Sequence, residues 1–170
     1  MPTKMLNPNT TLIVVPESFI VSPLTPSAAV LNGVNAINIS CAVTRGYTLN
    51  PTDSDTDDTA SICDTGNVKN RLFDNYEGEF TLFRDGNSAD ATSIYNIAFA
   101  YFKNVDQRFY VYRRVGKKST VAIAAADQLE GFLFLNDRTR SVDGGDAGPI
   151  QFTVPCLAQG NYTGYVAAIA

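Results

Sequence analysis

Residues 76–102, YEGEFTLFRDGNSADATSIYNIAFAYF, contain the change of hydrophobic period that decides the fold class. In the first ten of these residues, mainly apolar side chains alternate with mainly polar ones, which is the pattern of a half-buried β-strand. The face of that strand expected to be buried carries Tyr76, Gly78, Phe80 and Leu82. After the turn at Asp85-Gly86, apolar residues recur at helical spacing. This predicts an amphipathic helix over about residues 91–104, with Asp90 as its N-cap.

Period-2 patterns elsewhere predict that the chain consists mainly of strands. The predicted strands cover residues 37–44, 109–115, 129–135, 150–156 and 162–168. The last two flank Gln159-Gly160-Asn161, a turn signal that indicates a hairpin. Because a single helix among strands must cover a sheet face, we predict a mainly β fold. The expected architecture is a β-sandwich or part-barrel with one flanking α-helix.

The first 35 residues differ from the rest in their proline content. Five of the eight prolines lie in the first 26 residues, and no glycine precedes Gly33. Because proline removes a backbone donor and restricts the residue before it, we expect no helix and no central strand in this segment. Residues 11–15, TLIVV, are compatible with a short edge strand. We therefore predict a single domain over residues 1–170, in which residues 1–35 form an extended arm.

The composition excludes several classes of function. The chain has 170 residues, 45% of them apolar and 18% charged, which is typical of one soluble globular domain. A net charge of −4 disfavours a protein that grips nucleic-acid phosphate. The chain has no histidine, so the commonest general base and metal ligand are missing. We find no signal peptide and no apolar run long enough to span a bilayer, so we expect a cytosolic protein without a membrane partner.

Cysteine spacing does not indicate a metal site. Cys41, Cys63 and Cys156 are odd in number and show no C-x-x-C pattern. Without histidine they form no recognisable zinc motif. Free thiols in a reducing compartment are the favoured interpretation, and one disulfide is the alternative.

Residues 50–75 are predicted to form a long acidic loop between two strands. Its first part, NPTDSDTDDTASICD (residues 50–64), contains five aspartates and no basic residue. Asp53, Asp55, Asp57 and Asp64 match positions 1, 3, 5 and 12 of a calcium-binding EF-hand loop. Position 6 is Asp58 where that loop needs glycine, and position 12 is aspartate where it needs glutamate. We therefore expect no metal and no cofactor, and a loop that faces solvent or a partner.

A small basic cluster lies at the end of a predicted strand and continues into the turn that follows. One interpretation is a solvated β-turn, and the other is a contact with the acidic loop of another copy of the chain. The candidate contact residues are Asp53, Asp55, Asp57, Asp58, Arg113, Arg114, Lys117 and Lys118.

The pair Glu77 and Glu79 is the one feature of the sequence that suggests catalysis. Two carboxylates on one strand face could act on a glycosidic bond, but alternating glutamates are more typical of the solvent face of a strand. The sequence lacks a G-x-S-x-G motif and a cysteine–histidine pair. We therefore predict that the protein is not an enzyme.

Several segments, in their order along the chain, resemble one family. They are ISC (39–41), NPTDSDTDD (50–58), SICD (61–64), NYEG (75–78), FRD (83–85), YVYRRVGKKST (110–120) and GPIQFTVP (148–155). This order is similar to the major tail tube protein of bacteriophages with long, non-contractile tails, the type found in phages of actinobacteria. The likeness covers about residue 35 to the C-terminus.

The resemblance implies a structural virion protein. In that family, subunits form hexameric rings that stack into a tube, and the lumen is a continuous β-barrel through which DNA passes without specific binding. The N-terminal arm and the long loop are the usual contacts between rings. The implied partners are further copies of the chain, the tape measure protein, and the tail tip and terminator proteins. The implied location is the virion tail, after assembly in the host cytoplasm.

One alternative function remains open from the sequence. A β-sandwich with an acidic loop could also be a ligand-binding or glycan-binding module that depends on calcium. Large ordered assemblies favour the tail tube, whereas ion-dependent binding by monomers favours the binding module.

Overall fold

The computed structural model describes residues 9–57, 63, 66, 69–142 and 148–170. Eight strands in these residues form one sheet, in which every pair of neighbours is antiparallel. The strands are β1 (Thr10–Pro16), β2 (Ile37–Asn38), β3 (Thr48–Asp57), β4 (Asn70–Phe83), β5 (Arg108–Val115), β6 (Gln128–Asn136), β7 (Arg140–Val142) and β8 (Gln151–Ala167). The helices are α1 (Ala28–Leu31) and α2 (Ile94–Phe102), and a 3-10 turn covers Glu17–Phe19.

The sheet curls until its two ends approach each other. The strand order is β2-β1-β5-β6-β8-β4-β3, and β7 lies beside the start of β8. Val43, which follows β2, forms an isolated bridge with Leu82 of β4. Thr44 N donates to Thr81 O at 2.8 Å next to this bridge. The mainly β, part-barrel fold with a flanking helix is therefore confirmed, and the described residues of one chain do not close the barrel.

Strands β1, β5 and β6 are buried on both faces. Alternate residues along β1 show this, because Leu12 and Val14 belong to one hydrophobic cluster, and Ile13 and Val15 belong to another. The first core lies inside the curl and under α2. Its aromatic side chains are Tyr76, Phe80, Phe102, Phe109, Phe132, Phe134 and Phe152. The second core lies on the opposite face and includes residues from α1 and from the end of the chain.

Residues 10–16 correct the expectation of an N-terminal arm outside the core. β1 pairs with β5 over seven residues and with β2 over two, and Leu12–Val15 are at most 4% exposed. The proline density misled the prediction because Pro8 and Pro16 leave seven residues between them without a proline, and these are rich in β-branched side chains. After β1 the chain continues over the second core, where Ala28 and Leu31 are buried.

Helix α2 is confirmed, with shorter bounds than expected. Its N-cap residue is Ser93 and not Asp90. The Asp90 carboxylate accepts hydrogen bonds from Thr92 N and Thr92 Oγ1 at 2.9 and 2.7 Å, so it stabilises the turn before the helix. The helix buries Ala98 and Phe102 in the first core. In the described part of the chain, no helix has the length and hydropathy required to cross a membrane.

The predicted hairpin at Gln159-Gly160-Asn161 is wrong, because β8 runs through it as one strand. Gly160 and Gly164 have φ angles of 71° and 63°, and each lies in an irregularity of the β6–β8 pairing. Glycine adopts such angles at little steric cost in a β-bulge as well as in a turn. The bulge near Gly164 exchanges the two faces, so that Tyr162 packs on the first core and Val166 on the second.

The predicted strand over residues 37–44 is correct only for β2. Beyond Asn38 the chain turns, and Ala42 N and Val43 N both donate to Ile39 O. Asn38 Oδ1 accepts from Ser40 N at 3.1 Å, and Ser40 Oγ accepts from Leu12 N at 2.8 Å. Local side-chain hydrogen bonds of this kind compete with strand pairing, which explains the short strand.

Candidate assembly surfaces

The acidic segment is a projecting β-hairpin and not a loop. β3 pairs with β4 from Thr48–Glu79 to Asp57–Asn70, whereas β8 pairs with β4 only over residues 78–83. Residues 50–57 and 70–77 therefore extend beyond the rest of the sheet, and we call them the acidic hairpin. The prediction of a loop over residues 50–75 is thus wrong for both strands. Asp53, Asp55 and Asp57 are exposed on it, and Asp58 and Asp64 lie outside the described residues.

The geometry of the acidic hairpin does not fit an EF-hand. Asp53 and Asp57 lie on an extended strand that rises about 3.3 Å per residue, so their backbones cannot wrap around one ion. Asn75 Nδ2 instead donates to Asp53 O at 3.1 Å and to Asp55 Oδ1 at 3.0 Å. Within the described residues, no group of three potential ligands is close enough together to hold a metal ion.

The acidic hairpin also exposes apolar side chains. Leu72 and Phe73 are 55% and 68% exposed. Phe73 lies directly opposite Asp55 in the strand pairing, so both side chains are on the same face. The acidic hairpin therefore presents a carboxylate beside an aromatic ring, which is a surface suited to a partner that offers a cation beside apolar groups.

The basic cluster contributes mainly to contacts within the chain. Arg114 is 2% exposed, and its guanidinium donates to Asp127 Oδ2 and Thr11 Oγ1 at 2.9 and 3.0 Å. It also donates to backbone oxygens of the segment that follows β5, those of Lys118, Val121 and Ala122. Arg114 is therefore a structural residue that orders this segment, which corrects its assignment as a contact residue.

The neighbouring cations differ in how far they are exposed. Arg113 is largely buried, forms an ion pair with Glu130 at 2.6 Å and donates to Leu49 O at 2.7 Å. Lys117 is half exposed and forms an ion pair with Asp127. Lys118 is exposed. Of the four predicted basic contact residues, Lys118 and the outer side of Lys117 therefore remain accessible to another chain.

Asp127 is the carboxylate on which this network depends. Its burial alone would raise its pKa, but hydrogen bonds from Lys117 Nζ, Ala124 N and the Arg114 guanidinium lower the pKa to about 2. The group is thus ionised at neutral pH. Nothing in the local sequence around Asp127 indicates this role.

Tyr76 fixes the place where β4 and β8 separate. Its hydroxyl donates to Leu133 O and accepts hydrogen bonds from Gln159 N and Asn161 N at 2.9 and 3.0 Å. These amides belong to the bulge of β8 that contains Gly160, so the tyrosine replaces hydrogen bonds that a straight strand would exchange with β6. Gly78 is also required here, because a Cβ at this position would lie 2.5 Å from the Phe134 ring.

Glu77 and Glu79 lie on the solvent face of β4. Both are exposed, and they stand opposite Asn50 and Thr48 of β3. The three cysteines all lie in the described residues, and no disulfide links them. Burial raises the pKa of the Cys156 thiol, so that thiol is unreactive.

A family model described as "Phage tail tube protein" matches residues 1–170. The chain belongs to the phage tail tube protein family. Membership makes it a structural component of a phage tail, which agrees with the resemblance found in the sequence. The fold of this tail tube protein is also similar to that of a chain in the cryo-EM structure of the anti-feeding prophage baseplate. The two share 14% sequence identity over 95% of each chain, with a TM-score of 0.51. A comparison with curated protein sequences finds no match.

Proposed function

We propose that this tail tube protein forms hexameric rings, and that the rings stack into a tube that conducts DNA to the host cell. The match of the family model to the whole chain carries the proposal. The fold likeness to a chain from a structure determined with sixfold symmetry supports a ring of six.

Open strand edges support pairing between copies. Residues 157–167 of β8 pair with β6 on one side, and no described strand pairs with them on the other. β3 is the last strand of the sheet, and no described strand pairs with its outer edge. Unpaired edges favour association with another strand. Pairing around a ring of copies closes the sheet and removes these edges, which produces a continuous β-barrel.

The solvent face of β3, β4 and the start of β8 has the composition expected of a lumen. Its side chains carry hydroxyl, amide and carboxylate groups, as in Thr48, Asn50, Glu77, Glu79, Thr81 and Thr153. Duplex DNA carries one negative charge per ~1.7 Å of its axis, so carboxylates facing it prevent adhesion. We propose that this face lines the tube.

The acidic hairpin is the element that we propose for contacts between rings. It projects from the sheet and exposes both carboxylates and apolar side chains. A head-to-tail contact that does not close into a ring produces a filament, and the two ends of that filament expose different surfaces. Such ends require separate capping proteins, so tail tip and terminator proteins are the proposed partners at the ends. The tape measure protein is the proposed partner in the lumen, and assembly takes place in the host cytoplasm.

Negative-stain images of the concentrated protein and of virions test the proposal. We expect sixfold rings and hollow tubes. A variant in which residues 53–74 are replaced by Asn-Gly joins Thr52 to Asn75, which are cross-strand partners. This variant retains Leu49 and Tyr76 of the first core, so it should melt cooperatively but form no tubes. A wild-type protein that stays monomeric in every condition and is absent from virion tails would contradict the proposed function.

A further inference from the structure

A cleft of about 410 Å³ lies beside α2, at the end of β4 opposite to the acidic hairpin. We call it the helix cleft. Its walls include Arg84, Asp90, Ile97, Phe99, Ala100 and Lys103. Ile97 is 39% exposed, so the helix cleft combines an accessible apolar floor with charged groups.

Arg84 is held in place by an aromatic ring. Its guanidinium carbon lies 3.4 Å from the centroid of the Phe99 ring, and Phe99 packs edge-to-face on Phe152 at 5.2 Å. Stacking on a fixed ring leaves the edge of the guanidinium, with its N–H donors, available to a carboxylate. In the parts of the chain that the structure describes, neither Arg84 nor Lys103 forms an ion pair.

Asp90 is the one carboxylate of the helix cleft, and it is engaged locally. The hydrogen bonds from Thr92 lower the pKa of Asp90, and Asn96 Nδ2 donates to Asp90 O at 2.9 Å. The turn that carries Asp90 is therefore fixed, and its carboxylate has partners of its own. Two cations and one carboxylate line the helix cleft, and the nearby Asp85 carboxylate accepts hydrogen bonds from Ser93 Oγ and Asn87 N. The helix cleft therefore offers two cations without an ion pair among the described residues, although the whole chain has a net charge of −4.

The acidic hairpin has the complementary chemistry. Asp55 beside Phe73 offers a carboxylate next to an aromatic ring, and Asp53 adds a second exposed carboxylate. The bond from Asn75 to Asp55 Oδ1 leaves the other carboxylate oxygen available. The basic cluster at the end of β5 is a poorer partner, because Arg114 is buried and Arg113 and Lys117 are paired within the chain, which leaves Lys118 as its one cation without an ion pair among the described residues.

The hairpin and the cleft of one chain cannot meet. Phe73 lies on β4, and Arg84 directly follows the end of the same strand. The eleven positions between them correspond to about 36 Å at ~3.3 Å per residue. A contact between them must therefore join two copies. Because it uses two different surfaces, it is heterologous and can continue from copy to copy along the strand direction.

We propose that the acidic hairpin of one copy docks into the helix cleft of a second copy, with Asp55 at Arg84 and Lys103, and Phe73 on Ile97 and Ala100. This contact identifies the surface that receives the acidic hairpin, and the inference rests on the proposed self-assembly. Arg84, Lys103, Asp55 and Phe73 are then the residues that set the direction of growth.

Charge reversal in the full-length protein tests the contact. Arg84→Glu and Lys103→Glu should each reduce the initial rate of tube growth, measured by light scattering at low salt, by about tenfold, because charge pairs at an interface mainly set association rate. Lys118→Glu makes the same charge change at an exposed position of the basic cluster and should leave the rate unchanged. Asp55→Arg should slow growth, and combining it with Arg84→Glu should recover most of the lost rate. Melting temperatures verify that each variant is folded.

Disulfide trapping gives a readout that does not depend on growth rate. In a Cys41→Ser, Cys63→Ser background, a mixture of Asp55→Cys and Ala100→Cys chains should yield a cross-linked dimer under oxidation. A mixture of Asp55→Cys and Lys118→Cys chains is the control and should yield none. If wild-type tubes form but Arg84→Glu and Lys103→Glu grow normally and no specific cross-link appears, this contact is overturned and the proposed function stands. If the wild-type chain does not assemble and the Asp55→Cys and Ala100→Cys chains do not cross-link, both are overturned.

Discussion

The ion pair between Arg114 and Asp127 is the residue-scale feature with the largest expected effect on stability. Both side chains are buried, at 2% and 7% exposure, so removing one charge leaves the other without a partner. Breaking a buried pair in this way costs about 3–5 kcal/mol. We expect Asp127→Asn to lower the free energy of unfolding at neutral pH by about 3 kcal/mol in urea titrations. Asp137→Asn, at an exposed carboxylate, is the matched control and should change it by less than about 0.5 kcal/mol.

The same pair predicts how stability depends on pH. Folding lowers the pKa of Asp127 from 3.8 to about 2, so its contribution is present above pH 4 and is lost as the pH falls toward 2. The wild-type protein should therefore lose stability over this range more steeply than Asp127→Asn, and the two should converge near pH 2. Parallel urea curves at pH 5, 4, 3 and 2.5 measure the difference. A constant difference across the range would show that the carboxylate is not preferentially ionised in the folded state.

The Tyr76 hydroxyl is expected to stabilise the bulge of β8. Tyr76→Phe keeps the ring but leaves Leu133 O, Gln159 N and Asn161 N without their partner. Such a loss costs about 1–3 kcal/mol. Hydrogen exchange should accelerate at the amides of Gln159 and Asn161, while Tyr47→Phe, which removes a hydroxyl outside this site, should leave both amides protected. Unchanged exchange at these amides in Tyr76→Phe would refute the role of the hydroxyl.

At the scale of elements, local patterns predict what local interactions determine. The strands at residues 109–115 and 129–135 and the helix were predictable because the period of their apolar residues matches the structure. Gly160 was misinterpreted because a turn and a bulge make the same demand for a positive φ angle, and only the pairing with β6 distinguishes them. The burial of Arg114 was not predictable either, since its partners Thr11 and Asp127 are brought to it by the fold.

β1 is expected to be required for folding. It contributes Leu12 to the first core and Ile13 to the second, so it connects both hydrophobic layers. We expect Leu12→Ala and Ile13→Ala each to cost about 2–5 kcal/mol in urea titrations, and deletion of residues 1–16 to abolish cooperative unfolding. Val21→Ala is the control, because that side chain is 100% exposed. A truncated protein that still melts cooperatively would show that β1 is a dispensable arm after all.

At the scale of the whole molecule, the charges are separated by surface. The solvent face of β4 carries Glu77 and Glu79, the acidic hairpin extends from one end of that strand, and Arg84 follows its other end. One long strand therefore connects the proposed lumen to both sides of the proposed contact between copies. This arrangement lets the sequence of a single element influence assembly and passage of DNA together.

The charge of the proposed lumen is expected to determine whether tubes retain DNA. If Glu77 and Glu79 face the tube axis, replacing both with lysine reverses the charge at two positions per subunit without altering either core. Tubes of the Glu77→Lys, Glu79→Lys variant should retain labelled duplex DNA in sedimentation at about 50 mM salt and release it at about 1 M, where the Debye length is ~3 Å. Wild-type tubes should retain none at either concentration. Glu17→Lys, which alters a part-buried carboxylate that pairs with Arg108 on another surface, should behave like the wild type. Equal DNA retention by the double variant and by Glu17→Lys would place Glu77 and Glu79 outside the lumen, because only a charge that faces the DNA path can hold DNA inside the tube.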